Sequence, residues 1–284
     1  MLLDWWSPLF VAELKLAVVA IGAGVAAEHV LEPAGERNYR ALGFNLVVAF
    51  IFLYLTMLIT PPVSKMLVPI RTALSAHIPV AFPDGVLGSI GQTLAFFLAF
   101  DFFFYWWHRA QHGLGFLWVQ HRFHHQERWV NVTTIHRYHF SEEPLRNFVI
   151  YLPLAMLFDF KPVTVIWFWT VFTLWGYWIH ANVRIGLGGA SRWISGPQFH
   201  RHHHAPEYEN RNFAAFFPIW DRVFGTYHHP RPGEFPVRTG VDGESDGNSL
   251  YEAVAKPFVE WFRMCVHGVR NRVLRPGATP KSQA

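Results

Sequence analysis

The stretch "AFFLAFDFFFYWWHRAQH", residues 95–112, decides how this chain is read. Its first thirteen residues are apolar or aromatic except for Asp101, and two histidines then follow four residues apart. Side chains at i and i+4 share a helix face, so His108 and His112 leave the end of an apolar helix on one side. The apolar run begins at Val86, and Val86–Trp107 is long enough to cross a hydrocarbon core of ~30 Å. An apolar helix closing on paired imidazoles points to a metal-binding group at a membrane–water boundary.

Other segments extend this picture. Ala41–Thr60 carries no charge and is closed by Pro61-Pro62, which predicts a spanning helix that ends there. Pro69, Pro79 and Pro83 predict a re-entrant or surface path over residues 61–85. Val163–Ile179 is a further span. Phe148–Phe158 before it is short, and Asp159, Lys161 and Pro162 read as the turn of a membrane hairpin over 148–179. Leu9–Ala27 is apolar but contains Glu13 and Lys15, a costly pair in lipid, so it is either interfacial or tilted. Only 15% of the residues are charged, against about 25% in soluble domains. The fold class expected is all-α: a polytopic membrane helical bundle of four or five spans, with a cytoplasmic helical cap holding a two-metal site. Residues 1–107 form its N-terminal membrane helices, and 108–284 form a histidine-rich catalytic region that includes the hairpin and a C-terminal cap.

Residues 108–147 hold five Lys and Arg and residues 181–284 hold thirteen, out of 24 in the chain. The hairpin puts both regions on one side, and the positive-inside rule makes that side cytoplasmic, in an inner or plasma membrane. No Lys/Arg tract is dense enough to hold nucleic acid. The single cysteine, Cys265, excludes an intrachain disulfide framework and a cysteine-based zinc or iron–sulfur site. "MLLDWWSPLF" lacks a secretory pattern and reads as the start of the mature protein. Tyr251–Val273 is basic, aromatic and broken by Pro257, suiting either the membrane surface or the cap, and Arg275–Ala284 reads as a frayed tail.

The histidines fall into groups. His108 and His112 form one. His121, His124 and His125 form "HRFHH", and His200, His203 and His204 repeat the same HxxHH spacing in "HRHHH". His180 ends the apolar run "VTVIWFWTVFTLWGYWI" as His108 ends its own. If the hairpin folds back, these nine imidazoles meet at one boundary. One zinc takes three or four ligands, so nine indicate two metals, and a nitrogen-rich set without thiolate suits iron better than structural zinc. His139 in "RYHFSEE" is a tenth candidate ligand or a hydrogen-bond partner of one, and His136 is weaker. His202 points off the face shared by 200, 203 and 204, and His29, His77, His228, His229 and His267 stand apart from the pattern. Asp101, two helical turns before His108, is expected to orient His108 or its neighbour from behind. Glu142 and Asp221 are second candidates for that role.

These pieces together resemble the fatty acid hydroxylase/sterol desaturase superfamily of membrane histidine-box di-iron oxygenases. The matching motifs are "DFFFYWWHRAQH" (101–112), "HRFHH" (121–125), "NVTTIHRYHFSE" (131–142), "HANVR" (180–184), "PQFHRHHH" (197–204) and "PIWDRVFGT" (218–226). Phe140 stands where such families often carry a proline, and His202 is an extra histidine in the third box. The resemblance implies metal ligands at His108, His112, His121, His124, His125, His180, His200, His203 and His204, with His139 added. It implies two iron ions, O2 as co-substrate, and hydroxylation of a C–H bond in a membrane lipid: a fatty acyl lipid, sterol or hopanoid, ether lipid or carotenoid. Desaturation by the same architecture is the alternative. The chain shows no cytochrome b5-type haem motif, no dinucleotide fingerprint and no cysteine cluster, so a separate reductase, ferredoxin or cytochrome is expected to supply electrons. A metal transporter would place its ligands in mid-membrane, and a two-metal lipid hydrolase would bring bridging carboxylates. Neither pattern is present in the histidine boxes.

Overall fold

A computed structural model describes residues 8–74, 78–80, 82–159 and 162–266. The N-terminal residues 1–7, His77, Lys161, His267 and the tail at 275–284 lie outside the described residues. Ten α-helices carry the described fold. They are α1 (Pro8–Val30), α2 (Tyr39–Leu74), α3 (Val86–Gly113), α4 (Gly115–His125), α5 (Glu142–Arg146), α6 (Leu152–Leu157), α7 (Pro162–His180), α8 (Pro197–His203), α9 (Ile219–Val223) and α10 (Lys256–Val266). A wide π turn at Asn147–Tyr151 joins α5 to α6, and another at Tyr251–Ala255 leads into α10. The sole described strand pairing is a two-residue parallel contact, Ile78–Pro79 with Phe158–Asp159.

Among the described residues, α2 and α3 are long and apolar enough to cross a membrane. Helix α2 differs from its sequence expectation. It does not stop at Pro61-Pro62 but runs for 36 residues through Pro61, Pro62 and Pro69, so no re-entrant or surface path begins at residue 61. Prolines remove backbone donors, yet a helix remains the cheapest backbone where the flanks are apolar and water is absent. The continuation is also tethered: Ser64 Oγ donates to Asn147 Oδ1 of the π turn at 3.0 Å. Helix α3 runs unbroken through residues 107 and 108 and ends at Gly113. Its aromatic face, with α6, α7 and the segment 215–217, builds the main core around Phe96, Phe97, Phe100, Phe168 and Phe216. Phe168 meets Phe96 and Phe97 edge-on, each at 4.8 Å between ring centres, a favoured arrangement of aromatic quadrupoles.

Pro257 likewise does not break α10, because it sits in the helix's first turn, where a missing N–H costs little. Trp261 stacks on Phe116 at 5.3 Å and donates from Nε1 to the Phe116 carbonyl, fastening α10 to α4. Phe262 and Val266 on its other side stay exposed.

Candidate metal centre

Four helices end at one place. His108 and His112 occupy the last turns of α3, and His121, His124 and His125 those of α4. His180 closes α7, and His200 and His203 close α8, with His204 as its C-cap. All nine rings are buried. Helix C-termini carry partial negative charge, about half an elementary charge each, so this junction favours a cation before any side chain is counted.

The imidazoles converge as two groups. His108, His112, His121, His125 and His203 form one, and His124, His180, His200 and His204 form the other; within each group the ligand atoms lie within 4.8 Å of one another. Nε2 atoms face each other at 3.1 Å for His108–His121 and His112–His125, and at 2.9 Å for His108–His203. In the second group the separations are 3.2 Å for His124–His180, 2.9 Å for His180–His200 and 3.2 Å for His200–His204. Nitrogens about 2.1 Å from a shared cation, at right angles, would stand about 3.0 Å apart.

Tautomers make the case for a cation sharper. A backbone carbonyl can only accept, so the ring nitrogen facing it carries the proton. His108 Nδ1 donates to Phe213 O at 2.8 Å and His203 Nδ1 to Arg211 O at 2.7 Å. Burial, reinforced by neighbouring imidazoles, pulls the pKa of His203 down to about 3, so its ring is neutral. The Nε2 atoms of His108 and His203 therefore meet as two lone pairs 2.9 Å apart. That contact is repulsive unless a cation lies between them. His180 is set the same way, with Nδ1 donating to Gly176 O at 2.7 Å. Burial also holds His124, His125, His200 and His204 well below the ordinary histidine range. The donor set thus fits a pair of cations. Among the described residues, neither group includes a carboxylate or thiol.

The geometry departs from three expectations, those for Asp101, Asp221 and His139. Asp101 does not reach a histidine: it accepts the backbone N–H groups of Ala215 (2.9 Å), Phe216 (3.1 Å) and Phe217 (2.7 Å). Asp221 accepts those of Phe213 (2.8 Å) and Ala214 (2.9 Å) and the Thr226 hydroxyl (2.7 Å). Two buried carboxylates thus clamp five successive amides, and the Phe213 carbonyl of that segment orients His108. His139 joins neither group. Its Nδ1 pairs with Ser141 Oγ at 2.6 Å and its Nε2 faces the Val254 carbonyl at 3.1 Å, because the π turn at 251–255 packs over it.

Glu142 stands 3.7 Å from His121 Nδ1 and 2.9 Å from Arg146 Nη2. Burial alone would raise its pKa, but Arg146 and His121 bring it down to about 2, so it is a permanent anion behind a ring of the first group. Arg137, fully buried, donates to Phe123 O, Asn45 Oδ1, Asn248 Oδ1 and Asp246 O, and so fixes the α4 turn that carries His124. Glu28 Oε1 accepts from the Val132 and Asn182 amides at 2.7 and 2.8 Å, tying α1 to the segment after His180. Sequence reading missed both, since their partners are backbone groups and asparagine side chains up to 154 residues away. A cavity of about 330 Å³ lies beside this clasp, lined by Val25, Glu28, Arg37, Tyr39, Trp129 and Asn182 among others, but by none of the nine histidines.

Residues 93–226, which include every one of the nine histidines, match the fatty acid hydroxylase family. This match and the relatives below support the fatty acid hydroxylase/sterol desaturase superfamily. It is 34% identical over 134 residues to an alkylglycerol monooxygenase of Danio rerio, covering 46% of this chain and 29% of that protein. With an ornithine lipid hydroxylase of Rhizobium tropici it shares 30% identity over 210 residues, 72% of this chain and 61% of the relative. A delta(7)-sterol 5(6)-desaturase of Eremothecium gossypii is 30% identical over 141 residues, 49% of this chain and 38% of that enzyme. The chain therefore spans under a third of the alkylglycerol monooxygenase's length. No solved structure matches it.

Proposed function

We propose that this protein is a membrane-bound, O2-dependent lipid hydroxylase whose nine converged histidines hold two iron ions. The observation that carries this reading is the pair of carboxylate-free imidazole groups, with inward lone pairs, inside a segment that matches the fatty acid hydroxylase family. When bound, the iron pair supplies activation of O2 and cleavage of an unactivated C–H bond.

The chain's own residues do the rest. The carbonyls of Phe213, Arg211 and Gly176 keep three rings in the tautomer that presents Nε2. Glu142 favours a ligating His121 by facing its Nδ1 with negative charge. Phe104 packs against His108 at 5.6 Å and against Phe172 at 5.9 Å, and Tyr138 stacks on His124 at 4.8 Å. This aromatic wall excludes water from the rings and gives an alkyl chain an apolar surface to lie on. The substrate is a membrane lipid entering from the bilayer. The excess of Lys and Arg in residues 108–147 and 181–284 supports a cytoplasmic face for the site, where a separate reductase, ferredoxin or cytochrome delivers electrons.

The test is lipid extraction from cells with and without the gene, grown under labelled O2. A lipid heavier by one oxygen atom derived from O2 is expected, and no O2-dependent product would overturn the reading. Similarity to a sterol desaturase favours one second reading, desaturation at the same centre. That would give a product lighter by two hydrogens.

A further inference from the structure

His202, the histidine off the shared face, has its own partners. Its ring is fully buried, with Nδ1 donating to the Gln198 carbonyl at 2.9 Å, which leaves a lone pair on Nε2. That Nε2 has no hydrogen-bond partner, and neither does the buried Nε2 of His228. The nearest anion to His202 Nε2 is Glu234 Oε1 at 3.7 Å, too far for a hydrogen bond. One ligand atom each from His202, His228 and Glu234 lies within 4.8 Å of the other two.

We propose that His202, His228 and Glu234 form a third metal site, separate from the nine-histidine centre, that binds a zinc-class divalent cation. Two imidazoles and one carboxylate are a common zinc donor set. Glu234 is partly exposed, so the site opens to solvent and leaves a position for water. In a tetrahedral zinc site, donors about 2.1 Å from the ion stand about 3.4 Å apart; His202 Nε2 and Glu234 Oε1 are already 3.7 Å apart, and all three donors lie within 4.8 Å of one another.

The surroundings are already arranged for it. Gln198, one turn before His202, donates from Nε2 to the Arg231 and Glu234 carbonyls at 2.8 and 2.7 Å, which docks the 228–234 segment on α8. The His228 amide donates to Asn212 Oδ1 at 2.7 Å, and Asn212 holds a left-handed φ of 60° to present it. Tyr208 stacks on the His228 ring at 4.2 Å. A cation here would staple the segment to the helix that carries His200 and His203. It would buttress the catalytic centre from behind without touching it.

The experiment is equilibrium dialysis of the purified full-length protein in detergent against micromolar zinc chloride, counting zinc per chain. The wild type is expected to reach three. Glu234→Gln, which keeps the side-chain shape at a partly exposed position, and His228→Ala are each expected to reach two. Two zinc ions in the wild type, or an equal count in wild type and both variants, would overturn the proposal. Protein stripped of metal with chelator beforehand offers the main centre only zinc, so the difference of one between wild type and variants reads the third site alone and does not depend on the hydroxylase reading.

Discussion

The five-histidine and four-histidine groups share helices but not support. In the first, His108 and His203 are pinned by backbone carbonyls and His121 is faced by the buried Glu142 carboxylate. In the second, only His180 has such a carbonyl, and the Nδ1 atoms of His124, His200 and His204 have no hydrogen-bond partner. Groups behind a ligand fix its ring and raise its basicity. Three of the five rings in the first group are thus backed by a carbonyl or a carboxylate, against one of the four in the second.

Removing a pinned ligand should break that contrast most severely. His108→Ala is expected to lower product formation by more than about 100-fold, a loss beyond that of an outer-shell change, and to lower iron content; unchanged turnover in a product assay would remove His108 from the site. Next comes the clamp behind it. Asp221→Asn should weaken metal affinity by about 10–100-fold, read by chelator competition. Asp101→Asn turns an amide N–H toward backbone donors, and should cost about 2–4 kcal/mol of stability through imperfectly paired buried groups while leaving membrane insertion intact. A thermal midpoint equal to wild type would contradict that. Glu142→Gln should cost about tenfold in metal affinity, confined to the tighter of two binding phases.

The comparison is sharpened by partial chelation. One metal per chain should leave first, and the one retained should be lost in His203→Ala but kept in His200→Ala. The smallest effect is a pH slope. His136 is buried against the Tyr177 hydroxyl at 2.6 Å, and burial lowers its pKa from 6.5 to about 4. A depressed histidine pKa means the unfolded chain binds the proton more readily. This contribution is therefore intact above about pH 6.5 and lost as pH falls toward 4. His136→Gln should flatten acid unfolding over that window, and an unchanged slope would show that other groups set it.

The nine histidines were legible because helical spacing and chain position both pointed to one boundary. HxxHH places imidazoles on one face, and the apolar runs before His108 and His180 deliver them to one end of the bundle. What stayed hidden depends on contacts across the chain. Asp101 shares a face with His108, yet its charge is spent on amides 114–116 residues away. Spacing says nothing of backbone donors. His139 sat in a matching motif, but a π turn more than a hundred residues later covers it. His202 looked like a passenger because its partners, His228 and Glu234, carry no periodic relation to it. Helix α2 passed its prolines because the cost of ending a helix depends on what surrounds it, which local sequence does not record.

The most direct test of the two-metal centre is the iron content of protein purified without chelator, measured in the Glu234→Gln background so that the His202 group does not contribute. About two irons per chain, falling on His124→Ala, is the expected result. Iron near zero after anaerobic loading, or a full complement retained in His124→Ala, would contradict it.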